Sequence, residues 1–461
     1  MSDETSSEPV LKRAVTWKVG LFMVATGILD WTYLSGPAVS MVGKWAPLAW
    51  ILTVGIMAVS CYIYLEMAIM FKDSAGGLAM YVMEGYKKRS PVPGVIAQWG
   101  YVMGWGLAVA AIATFAGYFI QFFIPTFNIV LGALVIVAGC YFINCKGIEA
   151  SGKVQSLMAP LIIATVAVLA GSIAKLPVLS PDFSVVEVAQ EGANYPMLFL
   201  GACFLVAWSA FALEAVLTLT AEYKDPVKDT KKAVLYSSIM MMVLTTAICV
   251  AMTWYLPLDV VLNDPYTPLL PLSEAVFGPL FAKVFGVLLI IGLINGVNMC
   301  CVASSRVLFE SSKLGFMPKC FMKLNKNQAP STALLFILLI NAALIVTVGE
   351  APVFMVVAGG IGYFITIILS NFSIYFMRKD FPDLPRPYRI PDYMVSVSIL
   401  IGLVNTVFLI VGSISYGWKN VLVGVFVLLL VFPLYWYRTK VEDRKVLPGT
   451  GAVADMDLHP E

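Results

Sequence analysis

Charged residues are scarce in this sequence. Only 13% of its 461 residues are Asp, Glu, Lys or Arg, whereas a soluble domain has about 25%. Hydrophobic residues make up 60%, and they come in blocks of about 20, the length that crosses the hydrocarbon core of a bilayer. A soluble protein of this length needs more polar surface than the sequence supplies. The composition therefore predicts a membrane protein.

Histidine is almost absent, because the single one, His459, lies in the polar C-terminal tail. The apolar segments thus offer no histidine for a metal site or for a base that activates a nucleophile. Most of the eight cysteines lie inside apolar runs, which is typical of small core residues rather than of metal ligands or disulfides. A net charge of +2 argues against nucleic-acid binding. We therefore expect no enzyme activity, no metal and no cofactor.

Twelve apolar blocks separated by polar residues predict twelve transmembrane helices. Helices are expected because each segment must satisfy its own backbone hydrogen bonds in lipid, and the blocks do not alternate as barrel strands do. The predicted spans cover residues 17–41, 46–70, 92–124, 128–145, 154–174, 196–221, 233–256, 277–305, 331–349, 352–377, 393–416 and 418–437.

Lysine and arginine alternate in number from one predicted loop to the next. All but four of the 30 lie on the same side as the N-terminus, and the four exceptions are Lys44, Lys175, Lys283 and Lys419. Because positive charge collects in cytoplasmic loops, both termini are predicted to be cytoplasmic, and the protein is expected in the cell (plasma or inner) membrane.

Three carboxylates interrupt the apolar blocks, namely Asp30, Glu66 and Glu214. Ionisable groups inside spans are costly and typically functional. Glu66, near the end of the second span, fits a helix-end carboxylate that reaches the interface or a nearby lysine. Asp30 lies near the middle of the first span, with no lysine or arginine in a facing segment. It is therefore protonated, lines a wet cavity, or meets a cation brought from outside.

The first span contains the run GILDWTYLSGP, residues 27–37. Gly and Pro weaken a helix, whereas Asp, Thr and Ser side chains satisfy the backbone groups that are freed. An ordinary kink is one interpretation. The central Asp30 favours the other, a locally unwound helix whose N–H and C=O groups are exposed at the midplane, as in transporters with broken helices.

Four motifs occur in order along the chain. They are the glycines Gly76 and Gly77 after the second span, WSAFALEAVLTLTAEYKDP from Trp208 to Pro226, SRVLFESSKLGFMP from Ser305 to Pro318, and FPDLPRPYRIP from Phe381 to Pro391. In this order, on twelve predicted spans, they resemble the amino acid–polyamine–organocation superfamily of transporters. The resemblance covers about residues 16 to 440.

This resemblance implies an all-α, LeuT-like fold of two inverted five-helix repeats, spans 1–5 and 6–10. Helices 1 and 6 would be broken around a central site, and spans 11 and 12 would be peripheral. The chain would then divide into a cytoplasmic tail at 1–15, a ten-helix transport core at 16–377, a cytoplasmic loop at 378–392, peripheral helices at 393–437 and a cytoplasmic tail at 438–461.

The sequence departs from the superfamily pattern at two places. Members usually have Gly-Ser-Gly in the first break, where bare N–H groups hold the substrate carboxylate. Counting back from Pro37, this chain has Asp30, Trp31 and Thr32 there. Ala212 stands where a glycine usually precedes the glutamate of span 6, so the position at which span 6 unwinds is left open.

The leading interpretation is alternating-access transport of a small cationic amine or polyamine, such as ethanolamine, putrescine, agmatine or a methylated amine. Asp30 would supply the counter-charge. Trp208 resembles the tryptophan that stacks on substrate in arginine–agmatine and ornithine–putrescine exchangers; the alternative is a lipid-facing tryptophan. The second interpretation is a permease for zwitterionic amino acids, and a transceptor or a channel is the less favoured alternative.

The sequence also predicts which residues form the site. Sodium drive is not expected, because the stretch Phe285–Met299 of span 8 has no Ser or Thr and Ile162 stands where a lysine would replace the ion. Proton coupling, exchange and uniport remain as transport modes. The protein is expected to be a monomer or homodimer. The predicted substrate-binding residues are Asp30, Trp31, Thr32, Tyr101, Trp105, Trp208, Ser209 and Ala212, and the predicted coupling or gating residues are Glu214, Asn295 and Asn298.

Overall fold

The computed structural model describes residues 13–27, 29–73, 77–146, 159–179 and 195–443. Most of the two predicted tails, Gly76 and His459 therefore lie outside the described residues, as does the start of the predicted fifth span. Regular structure in the described part is helical, apart from isolated bridges such as the one between Val15 and Tyr223.

The first part of the chain forms helices that correspond to the first five predicted spans. The first span is interrupted, a short helix follows the second, and a 3₁₀ turn at Gly43–Trp45 joins the first two. The helices are α1 Trp17–Gly27, α2 Trp31–Val42, α3 Ala46–Met70, α4 Gly77–Tyr86, α5 Val92–Phe123, α6 Ile129–Cys145 and α7 Ala159–Lys175.

The second part of the chain begins with another interrupted helix, whose two pieces are joined by a 3₁₀ turn at Ala212–Glu214. The last two spans contain π-helical turns at Phe408–Gly412 and Arg438–Glu442. The helices are α8 Tyr195–Phe211, α9 Ala215–Thr218, α10 Pro226–Trp254, α11 Leu258–Asn263, α12 Leu269–Phe277, α13 Pro279–Lys313, α14 Ser331–Val348, α15 Pro352–Asp380, α16 Tyr393–Val407, α17 Trp418–Leu429 and α18 Val431–Tyr437.

Nine helical stretches among the described residues are long and apolar enough to cross a membrane, and two further apolar helices are shorter. The longest stretch, Trp31–Met70, has 40 residues, and a straight helix of that length would measure about 60 Å. This is about twice the hydrocarbon thickness. A turn at Gly43, whose φ of 54° favours glycine, separates α2 from α3. The predicted all-helical membrane fold is confirmed, whereas the count of twelve spans stays a prediction.

The outer faces of the helices are apolar, as lipid contact requires. On α6, the side chains of Leu131, Val135 and Phe142 are all more than half exposed. They follow one another at spacings of four and seven residues, which places them along one face of the helix. A stripe of this kind on a helix whose other face is packed fits a span that borders lipid.

The central helices pack in two groups. In the first group, α3 packs along α10 and α8, and α1 and α2 contact α10 and α8. In the second group, the long helix α5 packs along α15, α13 and α6. The two interrupted helices, α1–α2 and α8–α9, both belong to the first group, so their breaks face the second group across the middle of the protein.

Candidate functional site

The first span is broken at the aspartate that the sequence singles out. Helix α1 ends at Gly27, and α2 begins at Trp31 with Asp30 at its N-cap position. The Asp30 side chain does not cap the helix; it accepts a hydrogen bond from the Tyr33 hydroxyl one turn later. The Thr32 hydroxyl donates to the carbonyl of Leu29 at 2.6 Å, so it satisfies one backbone group that the break frees.

The second break lies in the sixth span. Helix α8 ends at Phe211, and the residues Ala212–Glu214 form a single 3₁₀ turn before α9 begins. Ala212 is therefore part of the interruption, although it has a side chain where the superfamily pattern has glycine. Trp208 and Ser209 lie in the last turn of α8 and are buried.

A small cavity lies between the two groups of helices, beside both breaks. Its volume is about 20 Å³, which is room for about one water molecule. Asp30 and Tyr363 line it together with apolar and aromatic residues, and none of the lining residues is basic. The lining residues are Asp30, Gly104, Trp105, Ala108, Ile112, Trp208, Ala212, Cys300 and Tyr363.

Trp208 is enclosed by protein rather than by lipid. Its side chain is 7% exposed, and a Cβ added at Gly359 of α15 would lie 2.9 Å from the indole. Because glycine leaves room for the ring at this point, the indole packs against the backbone of α15, and Trp208 lines the cavity. This position does not fit the alternative of a lipid-facing tryptophan.

Four of the predicted substrate-binding residues meet at this cavity, namely Asp30, Trp105, Trp208 and Ala212. Ser209 joins them, since its hydroxyl lies beside the Asp30 carboxylate and is buried without a well-formed hydrogen bond.

Trp31, Thr32 and Tyr101, the other predicted substrate-binding residues, do not line the cavity. Trp31 and Thr32 are fully buried. Thr32 stabilises the break, and Tyr101 donates to Glu214 at 2.7 Å.

The predicted coupling residues lie away from the cavity wall. Glu214 is fully buried, and its Oε1 accepts hydrogen bonds from Tyr101 at 2.7 Å and from Tyr363 at 3.1 Å. Its Oε2 has no hydrogen-bond partner within the described part of the chain and lies 3.9 Å from where a Cβ on Gly77 would stand. Tyr363 lines the cavity and also binds Glu214, so it links the glutamate to the cavity that holds Asp30.

Asn295 and Asn298 are buried on α13. The side-chain Oδ1 of Asn298 accepts a hydrogen bond from the Asn144 side-chain amide of α6 at 2.8 Å, and the side-chain amide of Asn295 approaches the sulfur of Met299. Neither residue lines the cavity. The structure therefore places Asn298 in the packing between α6 and α13, and Asn295 at a contact within α13.

Tyr363 and Cys300 also line the cavity, although neither was predicted from the sequence. The one signal near Tyr363 is the glycine run at Gly359, Gly360 and Gly362. A Cβ at Gly362 would meet Met103 of α5 at 2.8 Å, so the run permits a close approach of α15 to α5. Nothing in the sequence around Cys300 distinguishes it from the other cysteines in apolar runs.

The partners of Glu66 are two arginines and a backbone N–H, instead of the expected lysine or membrane interface. Its side chain is fully buried and accepts hydrogen bonds from Arg378 at 2.6 and 3.1 Å and from Arg386 at 3.2 Å. The backbone N–H of Ile390 donates to it at 2.9 Å. This buried cluster ties the end of α3 to the end of α15 and to the loop after it.

Comparison with known proteins agrees with this architecture. The amino acid permease family matches residues 16–432. The chain belongs to this family. The resemblance to the superfamily is thereby confirmed, and with it the prediction that the protein is a transporter rather than an enzyme.

Characterised relatives of this permease are distant but cover most of its length. The branched-chain amino acid permease of Bacillus subtilis is 25% identical over 373 residues, 74% of this chain and 75% of that protein. The lysine-specific permease of Lactococcus lactis is 23% identical over 362 residues, 72% of this chain and 69% of that protein. The D-serine/D-alanine/glycine transporter of Escherichia coli is 26% identical over 333 residues, 65% of this chain and 67% of that protein.

Proposed function

We propose that this permease is a secondary transporter for a small amino acid, whose protonated amino group binds the carboxylate of Asp30. The observation that carries the proposal is the position of Asp30, which lies at a helix break and lines a cavity without a basic lining residue. A carboxylate without a cationic partner is costly inside a membrane. A substrate that brings its own positive charge compensates that cost.

The rest of the cavity suits the remaining parts of an amino acid. The aromatic rings of Trp105, Trp208 and Tyr363 can pack against a substrate side chain or bind an ammonium group over a ring face. The Ser209 hydroxyl lies beside the Asp30 carboxylate and has no well-formed hydrogen bond within the described residues, so its oxygen can accept a hydrogen bond from the substrate amino group. In the present conformation the volume of about 20 Å³ is too small for any amino acid, so binding requires the two helix groups to separate around the site.

An amino acid is proposed as the substrate, rather than an amine, because of the names of the relatives. The three relatives named above transport branched-chain amino acids, lysine, or D-serine, D-alanine and glycine, according to their names. None of these names specifies a polyamine. This favours the interpretation that was second in the sequence analysis.

A decarboxylated amine is the second candidate, and one observation favours it. Two carboxyl groups lie near the cavity: Asp30 lines it together with Tyr363, and Glu214 accepts a hydrogen bond from Tyr363. A site of this kind attracts a net positive substrate more strongly than a zwitterion, because the zwitterion brings an anion into the same region.

Uptake into liposomes that contain the purified permease tests both candidates. The panel consists of matched pairs that differ only in the carboxylate: glycine and methylamine, valine and isobutylamine, lysine and cadaverine. Transport of the amino acid in at least one pair, exceeding that of its amine, is the expected result. The reverse order supports the second candidate. Uptake of all six compounds at the level of protein-free liposomes would contradict both.

We further propose that protons, rather than sodium, drive any accumulation. Glu214 is the candidate proton carrier, since one of its oxygens is buried and unpartnered and the other is bound through Tyr363 to the cavity wall. The same uptake assay in sodium and in potassium buffers at fixed pH and voltage checks this. Equal rates are expected; a strong increase in sodium would overturn it. We also propose that the protein lies in the cell membrane with both termini in the cytoplasm, and that it is a monomer or homodimer.

A further inference from the structure

Tyr33 gives Asp30 a hydrogen-bond donor from within the protein. It lies one turn into α2, its side chain is 1% exposed, and its hydroxyl donates to the Asp30 carboxylate. The donor therefore comes from the same short helix that carries the carboxylate. Nothing in the family comparison or in the sequence motifs assigns a role to this tyrosine.

The ring of Tyr33 is held by a column of aromatic side chains. It stacks on Phe115 of α5 with ring centroids 4.1 Å apart. Phe115 in turn meets the edge of Tyr266 at 5.3 Å, and Tyr266 meets Tyr118 at 4.7 Å. The Tyr118 hydroxyl donates to the carbonyl of Glu350 at 2.7 Å. The column fixes the Tyr33 ring, so its hydroxyl is aimed at Asp30 in advance.

The segment between α11 and α12 closes over this part of α2. The carbonyl oxygen of Pro265 lies where a Cβ on Gly36 would stand, at 1.8 Å from it. Gly36 is three residues after Tyr33 and thus lies on the same face of the helix. The Tyr33–Asp30 hydrogen bond therefore belongs to a closed arrangement, in which the cavity is too small for a substrate.

We propose that the Tyr33 hydroxyl takes the place of the substrate amino group on Asp30 while the unloaded carrier changes sides, so that this permease performs net transport rather than obligatory exchange. This rests on the proposed function. After the substrate has left, the binding carboxylate has no cationic partner. Closing the unloaded carrier then buries an unpaired charge, and this raises the barrier to changing sides. An internal hydroxyl donor lowers that barrier for the unloaded carrier. It does nothing for the loaded carrier, in which the amino group occupies Asp30.

Net efflux and exchange, measured on the same liposomes, distinguish the unloaded carrier from the loaded one. Net efflux into substrate-free buffer requires the unloaded carrier to return. Exchange with saturating substrate on both sides uses the loaded carrier alone. Tyr33→Phe removes the hydroxyl and keeps the ring that stacks on Phe115. The probe is the labelled compound, among glycine, valine, lysine and their three amines, that the wild type moves fastest.

Wild type is expected to show both fluxes. In Tyr33→Phe, net efflux should fall about tenfold or more, the effect of losing a hydrogen bond to a charged group, while exchange should stay close to wild type. Equilibrium affinity should not weaken, because the hydroxyl competes with the substrate for Asp30. The matched control is Tyr64→Phe, which removes another buried hydroxyl, one that donates to Ile367; its ratio of net efflux to exchange should not change.

Three results would overturn the inference. They are a wild type that exchanges but shows no net efflux, a Tyr33→Phe variant in which both fluxes fall in parallel, and one in which neither falls. In each case transport of amino compounds would still stand. If Tyr33→Phe is not monodisperse, Phe115→Leu replaces it. That variant keeps the hydroxyl but loosens its aim, so net efflux should again fall more than exchange.

Discussion

The carboxylate of Asp30 interacts with hydroxyl groups, from Tyr33 and Ser209, and with no basic side chain among the residues that line its cavity. In its ionised form Asp30 is therefore solvated by weak donors but is not neutralised. This arrangement leaves a positive group in the substrate as the strongest available partner. It also makes the residue testable, because asparagine has the same shape without the charge.

Asp30→Asn is expected to lose equilibrium affinity for the transported amino compound by about 3–5 kcal/mol, the amount typical of breaking a buried charge pair. Isothermal calorimetry or scintillation proximity on the purified protein measures it. A role in proton coupling instead predicts near-normal binding and exchange with loss of proton-driven accumulation, and a structural role predicts little change in either. Tight binding to a well-folded Asp30→Asn protein would rule out direct recognition.

Trp208 should matter through its ring face. Trp208→Phe is expected to keep much of the affinity, whereas Trp208→Leu should lose roughly 0.5–2 kcal/mol, the strength of a desolvated cation–π contact. The same binding assay compares the two variants, with Trp50→Phe as a control, since Trp50 is fully buried and does not line the cavity. Identical affinities of the Phe and Leu variants would show that stacking on the substrate is not its role.

Single residues also mark the limit of what the sequence predicts. Asp30, Trp105, Trp208 and Ala212 were predicted together and meet at the cavity. Trp31 follows Asp30 directly yet faces elsewhere, because successive residues on a helix point about 100° apart. Tyr363 comes from a helix more than 300 residues later in the sequence, and without knowledge of packing no local pattern relates it to Asp30.

At the scale of elements, the break in the first span was predicted, but not its extent. The whole run of residues 27–37 was expected to weaken the helix. Helix α2 nevertheless begins at Trp31 and contains both Gly36 and Pro37. Gly36 serves a contact instead, because the carbonyl of Pro265 occupies the space of its missing side chain. A glycine that permits close approach and one that permits unwinding look the same in a sequence.

Gly36→Ala should therefore disturb the closed arrangement. The new methyl group would overlap the carbonyl of Pro265, and overpacking of this kind costs about 1–3 kcal/mol. Thermal unfolding in detergent should show the loss, and uptake should fall because the segment cannot close on α2. Gly139→Ala is the matched control, since no neighbouring group in the described ranges lies within 4 Å of its Cβ position. Equal stability of the two variants would mean that the segment does not need this contact.

At the scale of the whole molecule, two groups of helices meet at the site, and one buried ionic cluster joins them away from it. Glu66 belongs to α3 of the first group, and Arg378 to α15 of the second. All three side chains of the cluster are largely buried, with Arg386 9% and Arg378 13% exposed. The sequence predicted the family fold as a whole, but it did not pair these residues, which are about 300 positions apart.

Glu66→Gln is expected to destabilise the protein by about 3–5 kcal/mol, because Arg386 loses the carboxylate it is paired with and Arg378 keeps only the exposed Asp392 as a counter-ion. Denaturant or thermal unfolding of the purified protein measures it. The control is Glu310→Gln, which removes an exposed pair with Lys313 and should change stability by less than about 1 kcal/mol. A stability loss no larger than in the control would show that the cluster is dispensable.

The same cluster has a consequence for how the chain is made. Glu66 is synthesised with the second span, but its partners Arg378, Arg386 and Ile390 follow 312, 320 and 324 residues later. During most of translation, the nascent chain contains Glu66 but not yet the residues that bind it in the folded protein. Until those residues are made, Glu66 is therefore expected to be protonated or to lie near the water boundary, because an unpaired carboxylate is costly inside the bilayer.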